Sequence, residues 1–234
     1  MLELTLRYPA SALAGKPRLT RDDVQMLRRW MFPAGLQSET DAWRILLIHR
    51  SAQEKSLDWS RWFVEVMAGF FTRGGDFRRN PDADRADCLM AMIAPEGVIG
   101  DADELDLLLH TMELAGARAD SLAALALDQL RLALETGEGA YAAQRSAKRS
   151  GISVDDLDFV YRIVRDRLER GRLCMTEREA AAMSRIDAVV RGRMNHPGWR
   201  RLVDSLVLSD DDRRADRGWL RVAPTDGLIL EDAA

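Results

Sequence analysis

Apolar residues recur at helical spacing along most of the chain, separated by short polar stretches. Val24, Leu27 and Met31, for example, fall on one face of a helix. The clearest helices are predicted at residues 21–31, 38–52, 59–71 and 121–135. The last is apolar around much of its circumference, so we expect it at the centre of the core. Because no stretch alternates apolar and polar residues for long enough to predict a sheet, the sequence favours an all-α fold.

Three related units make up most of this pattern. When the first unit is displaced by 62 positions, Gly35 falls on Gly97 and Pro33 on Pro95. A third copy begins at Ile152. Each unit is predicted to contain a helix, a glycine-containing turn and two further helices, with the units packed side by side in one continuous globular domain. The predicted division is an N-terminal extension at 1–18, helical units at 19–75, 82–136 and 151–208, and a C-terminal tail at 209–234.

Helix starts and connectors can be placed from residue type. Ser38 and Thr176 precede acidic residues at the start of the second helix in the first and third units, which predicts an N-cap at each. Residues 72–81 and 136–150 are polar and glycine-containing, so both are predicted to be connectors. The tail contains an apolar stretch at 219–230, which we expect to fold back on the body or to serve a partner.

Composition excludes several classes of protein. Of the 234 residues 47% are hydrophobic and 31% charged, which argues against intrinsic disorder, and no apolar run is long enough to predict a membrane span. A net charge of -4 from mixed signs gives no basic face for nucleic acid. The N-terminus lacks a secretory signal, and Cys88 and Cys174 lie in apolar stretches. We therefore expect a cytoplasmic protein with reduced thiols.

Residues 95–105, which read PEGVIGDADEL, carry a likeness to a known family. A turn with an acidic residue before glycine, followed by a helix with an acidic first turn, resembles the half-repeat of tellurite-resistance TerB-like proteins. The whole arrangement also looks like uncharacterised alphaproteobacterial proteins that join such units. The resemblance implies repeated helical units, a cytoplasmic setting, a link to stress-response assemblies and an acidic surface that holds a divalent metal. Ala34, Glu96 and Arg170 precede the glycines here, which argues against a metal site in every unit.

An acidic cluster in the second unit is the candidate metal site. Glu96, Asp101, Asp103 and Glu104 offer oxygen ligands of the kind that Ca²⁺ or Mg²⁺ prefers, although their spacing is not that of an EF-hand. The favoured interpretation needs no metal, because acidic side chains in the first turn of a helix are stabilised by the helix dipole. No resident cofactor is therefore predicted.

Signatures of catalysis are missing from the sequence. His49, His110 and His196 have no neighbours at metal-ligand spacing. His49 and His110 fall near predicted helix ends, where we expect them to cap carbonyls, and His196 precedes a proline in a loop. Gly137 and Gly139 follow a helix, which favours a cap and a linker over a phosphate loop. The sequence favours a protein that is not an enzyme, while an enzyme with dispersed catalytic residues stays open as a lesser alternative.

Tryptophan and arginine provide the candidate interaction residues. Trp59 and Trp199 occupy equivalent places in two units, and Arg61 and Arg201 follow two residues later. Core packing is the default role of such tryptophans, but tryptophan and arginine also dominate binding hot spots. With Trp219 of the tail, these residues are the predicted contacts to a protein partner. The favoured function is protein–protein interaction, and the alternative is a divalent-metal sensor built on the acidic turn.

Overall fold

The computed structural model describes residue 13 and residues 15–73, 81–116, 120–145, 150–169 and 172–208. This part of the chain is mostly helical, which confirms the predicted all-α class, while the three-unit arrangement stays a prediction. The α-helices are α1 (Arg21–Met26), α2 (Glu39–Ser51), α3 (Leu57–Arg73), α4 (Pro81–Ile93), α5 (Ala102–Ala115), α6 (Asp120–Glu135), α7 (Gly139–Gln144), α8 (Val154–Val164), α9 (Glu177–Val190) and α10 (Pro197–Asp204). A π-helical turn, Leu27–Met31, continues α1, and a 3₁₀ turn, Arg165–Arg167, follows α8.

In the described ranges two small sheets accompany the helices, although the sequence predicted none. Parallel strands β1 and β2 form one sheet, and a second has the order β3-β4-β5, with β4 antiparallel to β3 and parallel to β5. The strands are β1 (Arg18–Leu19), β2 (Glu54–Lys55), β3 (Leu168–Glu169), β4 (Arg172–Met175) and β5 (Leu206–Leu208). Segments this short cannot show a period of two, so their sequence carries no strand signal.

Capping boxes define the starts of several helices. The Ser38 hydroxyl accepts a hydrogen bond from the Asp41 N–H, and the Asp41 carboxylate accepts one from the Ser38 N–H. Thr176 and Glu179 make the same reciprocal pair at the start of α9. Both predicted N-caps are confirmed. Each capping box satisfies backbone N–H groups that have no partner within the helix.

The predicted connector at 136–150 contains a helix, α7, which corrects the sequence-based expectation. Gly137 does end the preceding helix, with a φ of 75° and an N–H that donates to the Leu132 carbonyl. The Ala140 N–H then donates to the Ile99 carbonyl of the preceding turn, and the ring of Tyr141 is buried. A long-range backbone hydrogen bond and a buried aromatic ring therefore hold residues 139–144 in a helix, although the sequence there is polar and contains glycine.

Helix α6 lies at the centre of the core, as its apolar circumference predicts. It packs against α4, α5, α7, α8 and α9, and its leucines at 122, 127 and 130 are buried. Helix α3 packs mainly on α5. None of the described helices combines the length and the hydropathy needed to cross a membrane. The predicted tail at 209–234, with Trp219, lies outside the described residues.

Candidate functional site

A buried hydrogen-bond network joins the end of α2 to the start of α5, and we call it the His49 network. His49 is completely buried, and its ring stacks on that of Phe63 with centroids 3.9 Å apart. Its Nδ1 lies 3.1 Å from the indole nitrogen of Trp59, and its Nε2 lies 3.0 Å from Oδ1 of Asp101. The expected carbonyl cap is therefore wrong, because His49 lies on the inward face of α2 and bonds to side chains.

The Trp59 bond fixes which ring nitrogen of His49 carries hydrogen. An indole N–H can only donate, so the Nδ1 atom of His49 must accept. The ring hydrogen then sits on Nε2 and is donated to Asp101. The Nε2 lone pair that a metal would need is consequently occupied by this hydrogen.

Asp101 is the anionic centre of the network and the N-cap of α5. Its Oδ1 accepts from the backbone N–H groups of Asp103 and Glu104, at 2.9 and 3.4 Å. Its Oδ2 lies 2.7 Å from the ammonium nitrogen of Lys55. Burial raises the pKa of Asp101, but the bonds from His49 and Lys55 outweigh it and hold the pKa below its ordinary value. Both oxygens of this carboxylate are therefore engaged.

A second charged pair lies beside the network. The buried carboxylate of Glu104 receives two bonds from the Arg50 guanidinium, at 2.6 and 2.9 Å. The same guanidinium donates to the Met92 carbonyl. Hydrogen bonding to Glu104 raises the pKa of Arg50 above its ordinary value. Adjacent residues of α2, His49 and Arg50, thus hold two acidic residues at the start of α5.

The spacing of His49, Asp101 and Asp103 resembles that of metal ligands, since ligand atoms of all three lie within 4.8 Å of one another. The hydrogen bonds argue against such a site. The Nε2 atom of His49 carries a hydrogen that it donates to Asp101, so it has no lone pair for a metal. The carboxylate of Asp101 also pairs with the Lys55 ammonium, and that of Asp103 accepts from the Ser60 hydroxyl at 2.7 Å. The arrangement is that of a satisfied polar network joining two helices.

The four carboxylates predicted as metal ligands do not converge on one point. The fold brings Asp101 and Asp103 together, but it turns Glu104 towards Arg50. Glu96 is exposed in the turn before α5. Among the described residues, the geometry places His49 beside these carboxylates, and the sequence missed it because Asp101 lies 52 residues away.

The remaining histidines have local roles. His110 lies within α5, with its Nδ1 3.6 Å from the Glu113 carboxylate, so the carbonyl cap expected for it is also wrong. His196 is the N-cap of α10, and its Nδ1 accepts from the Gly198 N–H. Burial raises the pKa of the free Cys88 thiol to about 12, which leaves this thiol protonated and a poor nucleophile.

Trp59 and Trp199, two of the predicted partner contacts, are core residues. Both side chains are buried, and the indole N–H of Trp199 donates to Asp187 at 3.1 Å. Neither indole can therefore reach a partner in this structure. Arg61 and Arg201 are exposed, as a contact to a partner requires.

An open groove of about 490 Å³ runs along α3. One wall is α3 and the other is the turn between the π-helical turn and α2. Its apolar lining consists of Phe32, Pro33, Leu36, Trp62, Val66 and Phe70. Arg28 and Glu65 face each other at the rim, 3.1 Å apart, and we call the whole feature the α3 groove.

The π-helical turn explains why the sequence missed this surface. The Phe32 N–H donates to the Leu27 carbonyl, five residues back, so one more residue enters the turn than an α-helix would hold. Phe32 rather than Met31 then continues the buried face below Leu27. Trp30, on a helix predicted to pack into the core, is 64% exposed, and the guanidinium of Arg29 lies 5.1 Å from its ring centroid.

The second wall of the groove is held by its own hydrogen bonds. Gly35 has a φ of 78°, which favours glycine, and its N–H donates to the Phe32 carbonyl. The Gln37 amide donates to the carbonyls of Ala34 and Gly35. This wall is therefore shaped before anything binds.

No family model matches this chain, and neither the curated proteins nor the solved structures include a match to it. Any account of function therefore rests on the fold and on the two features described above.

Proposed function

We propose that this protein works by binding a protein partner, without catalysis, and that the α3 groove is its docking surface. The observation that carries the proposal is an exposed tryptophan close in sequence to the groove lining. Trp30 lies two positions before Phe32, which lines the groove. Large apolar side chains exposed next to a groove are typical of interaction sites.

The groove is suited to binding because its walls are already in place. Trp62 and Phe70 belong to the buried core, so the α3 wall is fixed by the packing beneath it. The opposite wall is fixed by the bonds of Gln37. Little ordering entropy is then lost when a partner docks, which leaves more of the contact energy for affinity.

We also propose that the chain is a cytoplasmic TerB-like protein of three units that serves a stress-response assembly. Equivalent contacts in the first and third units support this. Trp59 donates to His49 and Trp199 donates to Asp187, and each acceptor lies eleven residues after its helix N-cap. In the first and second units, Gly35 and Gly97 share a positive φ just before a capped helix.

The alternative function, a divalent-metal sensor, receives less support. Its oxygen ligands would have to give up existing partners, since Asp101 is held by Lys55 and Glu104 by Arg50. A cation would gain these ligands only by separating Lys55 and Arg50 from their carboxylate partners.

Site-directed photo-crosslinking tests the docking proposal. A photoreactive phenylalanine analogue replaces Trp30 in full-length protein expressed in its own cells, and Met194, which is 95% exposed on the loop before α10, serves as the control position. We expect a discrete adduct at position 30 and none at position 194. Irradiation that gives no adduct specific to position 30 would overturn the proposal.

A groove variant sharpens the same experiment. Val66→Arg places a charge in the groove, and Val154→Arg makes the same change at an exposed position of α8. The adduct is expected to disappear in the first variant and to persist in the second. Circular dichroism and thermal melting of both variants show that each is folded. An adduct that survives Val66→Arg in folded protein would place the partner elsewhere.

A further inference from the structure

We propose that Met194 is a site of reversible oxidation, at which peroxide converts the thioether to a sulfoxide while the fold is retained. The proposal does not depend on the docking function, because Met194 does not line the α3 groove. Three observations carry it: the exposure of this side chain, the bonds that fix its loop, and the lower accessibility of the other described sulfur atoms.

Met194 lies on the loop between α9 and α10, and it is 95% exposed. Among the described residues no other large hydrophobic side chain is as exposed, and Trp30 and Leu57, which come next, are 64% exposed. Oxidation of a thioether requires contact between the oxidant and the sulfur, so susceptibility follows exposure. Peroxide can therefore reach Met194 without any opening of the core.

The loop is fixed on the N-terminal side of Met194 by the guanidinium of Arg193. This group donates to the Leu134 carbonyl near the end of α6, at 3.1 Å, and to the Ser150 carbonyl, at 2.6 Å. Hydrogen bonds from a charged donor are stronger than those between neutral groups. Arg193 therefore ties the loop to two other parts of the chain.

On the C-terminal side, Asn195 fastens the loop to the residues before α8. Its side-chain amide donates to the Val190 carbonyl and its side-chain oxygen accepts from the Ile152 N–H, each at 2.9 Å. The loop passes so close to Gly151 that a Cβ there would lie 2.3 Å from the Met194 carbonyl oxygen. The exposed thioether thus belongs to a fixed loop, and an oxygen added to it displaces little of the surrounding structure.

The other described methionines are less accessible. Five of them are buried in the core, at positions 67, 92, 112, 175 and 183, and those at 26, 31 and 90 are half-buried against it. A buried methionine is oxidised only when the structure around it opens, and such opening costs free energy. Peroxide should therefore modify Met194 before any of these residues.

The thiol of Cys88 is a weak competitor for peroxide. Cysteine reacts with peroxide as the thiolate. Burial raises the pKa of Cys88 to about 12, so the thiol is protonated at neutral pH. Cys174 is half-buried within β4. The thioether of Met194, which needs no deprotonation, is the more accessible target.

The oxidation is a two-electron transfer from sulfur to the peroxide. The sulfur lone pair attacks one peroxide oxygen, an S–O bond forms as the O–O bond breaks, and the departing oxygen takes up a proton and leaves as water. A dithiol reverses the change in the presence of methionine sulfoxide reductases, which gives back the thioether and yields water and a disulfide. The cycle exchanges an apolar side chain for a polar one and breaks none of the bonds that hold the loop.

Hydrogen peroxide treatment of the full-length protein, followed by peptide mass spectrometry, measures the oxidation rate at each methionine. In folded protein we expect Met194 to react about tenfold faster than Met67 and Met183, since both of these must await opening. The same reaction in concentrated guanidinium is the control, and there the three rates should converge. Equal rates in folded protein, or a described methionine that reacts before Met194, would overturn the proposal.

Melting of the oxidised protein tests whether the fold is retained. We expect the same melting temperature before and after Met194 is oxidised, and Met194→Leu, treated identically, shows what oxidation at other positions contributes. Incubation with both classes of methionine sulfoxide reductase and dithiothreitol should restore the unmodified peptide that contains residue 194. A fall in melting temperature that Met194→Leu prevents, or a modification that the reductases do not remove, would overturn the proposal.

Discussion

The indole of Trp59 donates a hydrogen bond to Nδ1 of His49, and this contact determines which ring nitrogen of His49 carries the hydrogen. The ring hydrogen is held on Nε2, where Asp101 accepts it. A histidine that would otherwise be a candidate ligand or base becomes a donor within the core. The cluster is therefore a joint between two helices.

Removing the indole donor should destabilise the fold. Trp59→Phe retains a ring but leaves His49 Nδ1 buried without a donor, at a cost of about 1–3 kcal/mol in free energy of unfolding, measured by urea denaturation. Trp199→Phe is the matched control, and it should cost less because Asp187 is half-buried and can bond to water. An equal or smaller cost for Trp59→Phe would contradict the role given to this bond.

Divalent cations should leave the stability of the protein unchanged. Because Asp101 and Asp103 already accept from Lys55 and Ser60, we expect no rise in melting temperature in millimolar Ca²⁺ or Mg²⁺, measured by differential scanning calorimetry. A rise that the double variant Asp101→Asn, Asp103→Asn abolishes would instead establish the metal sensor.

The pair formed by Arg50 and Glu104 should show strong coupling. Arg50→Leu leaves the buried Glu104 carboxylate without its main partner, so we expect a loss of about 2–3 kcal/mol in chemical denaturation. The double variant Arg50→Leu, Glu104→Leu should be more stable than Arg50→Leu alone, because no buried charge remains unpaired. Simple additivity of the two single losses would contradict this account.

Acid should weaken the fold through Asp101. Its folded pKa lies below the unfolded value of about 3.9, so its stabilising contribution is complete above the unfolded pKa, declines as pH falls below that value, and is lost once pH passes the lower folded pKa. Asp101→Asn should therefore be less stable at pH 7 and should lose less on going from pH 6 to pH 3, measured by urea denaturation at each pH.

Asp106 provides a control of opposite sign. Partial desolvation and the nearby carboxylates of Asp103 and Glu113 raise the pKa of Asp106, against the attraction of Arg162. Its ionisation therefore opposes folding at neutral pH, and Asp106→Asn should not reduce stability at pH 7. A loss as large as that of Asp101→Asn would show that the amide substitution, rather than the charge, is responsible.

The turn before α2 should require its glycine. Gly35 has a φ of 78°, so Gly35→Ala should cost about 1 kcal/mol in thermal or urea unfolding, even though a Cβ would meet no atom within 4 Å. Gly100→Ala is the control, because Gly100 also has open space but no positive φ. Similar costs for the two changes would show that backbone conformation is not the cause.

The sequence predicts those features that depend on neighbouring residues. Helices α2 and α6 begin and end within two residues of their predicted bounds, because capping hydroxyls and helical periodicity are local signals. The N-caps Ser38 and Thr176 are of the same kind.

Features that depend on distant contacts could not be predicted in this way. The bond from His49 to Asp101 joins residues 52 apart, and the exposure of Trp30 depends on one additional residue in a helical turn. The histidine was expected to cap a carbonyl because its position near a helix end was the only signal present. The His49 network and the α3 groove therefore form only when the helices are packed.

The π-helical turn makes the α3 groove sensitive to chain length as well as to chemistry. Residues 27–31 amount to an α-helix with one residue inserted, and the surplus is accommodated by turning Trp30 outwards. A deletion of one residue there would restore the regular helix and leave the register on either side unchanged, because the π-helical turn absorbs one residue. A relative lacking that residue would keep the core and lose the outward placement of Trp30 on which the proposed docking depends.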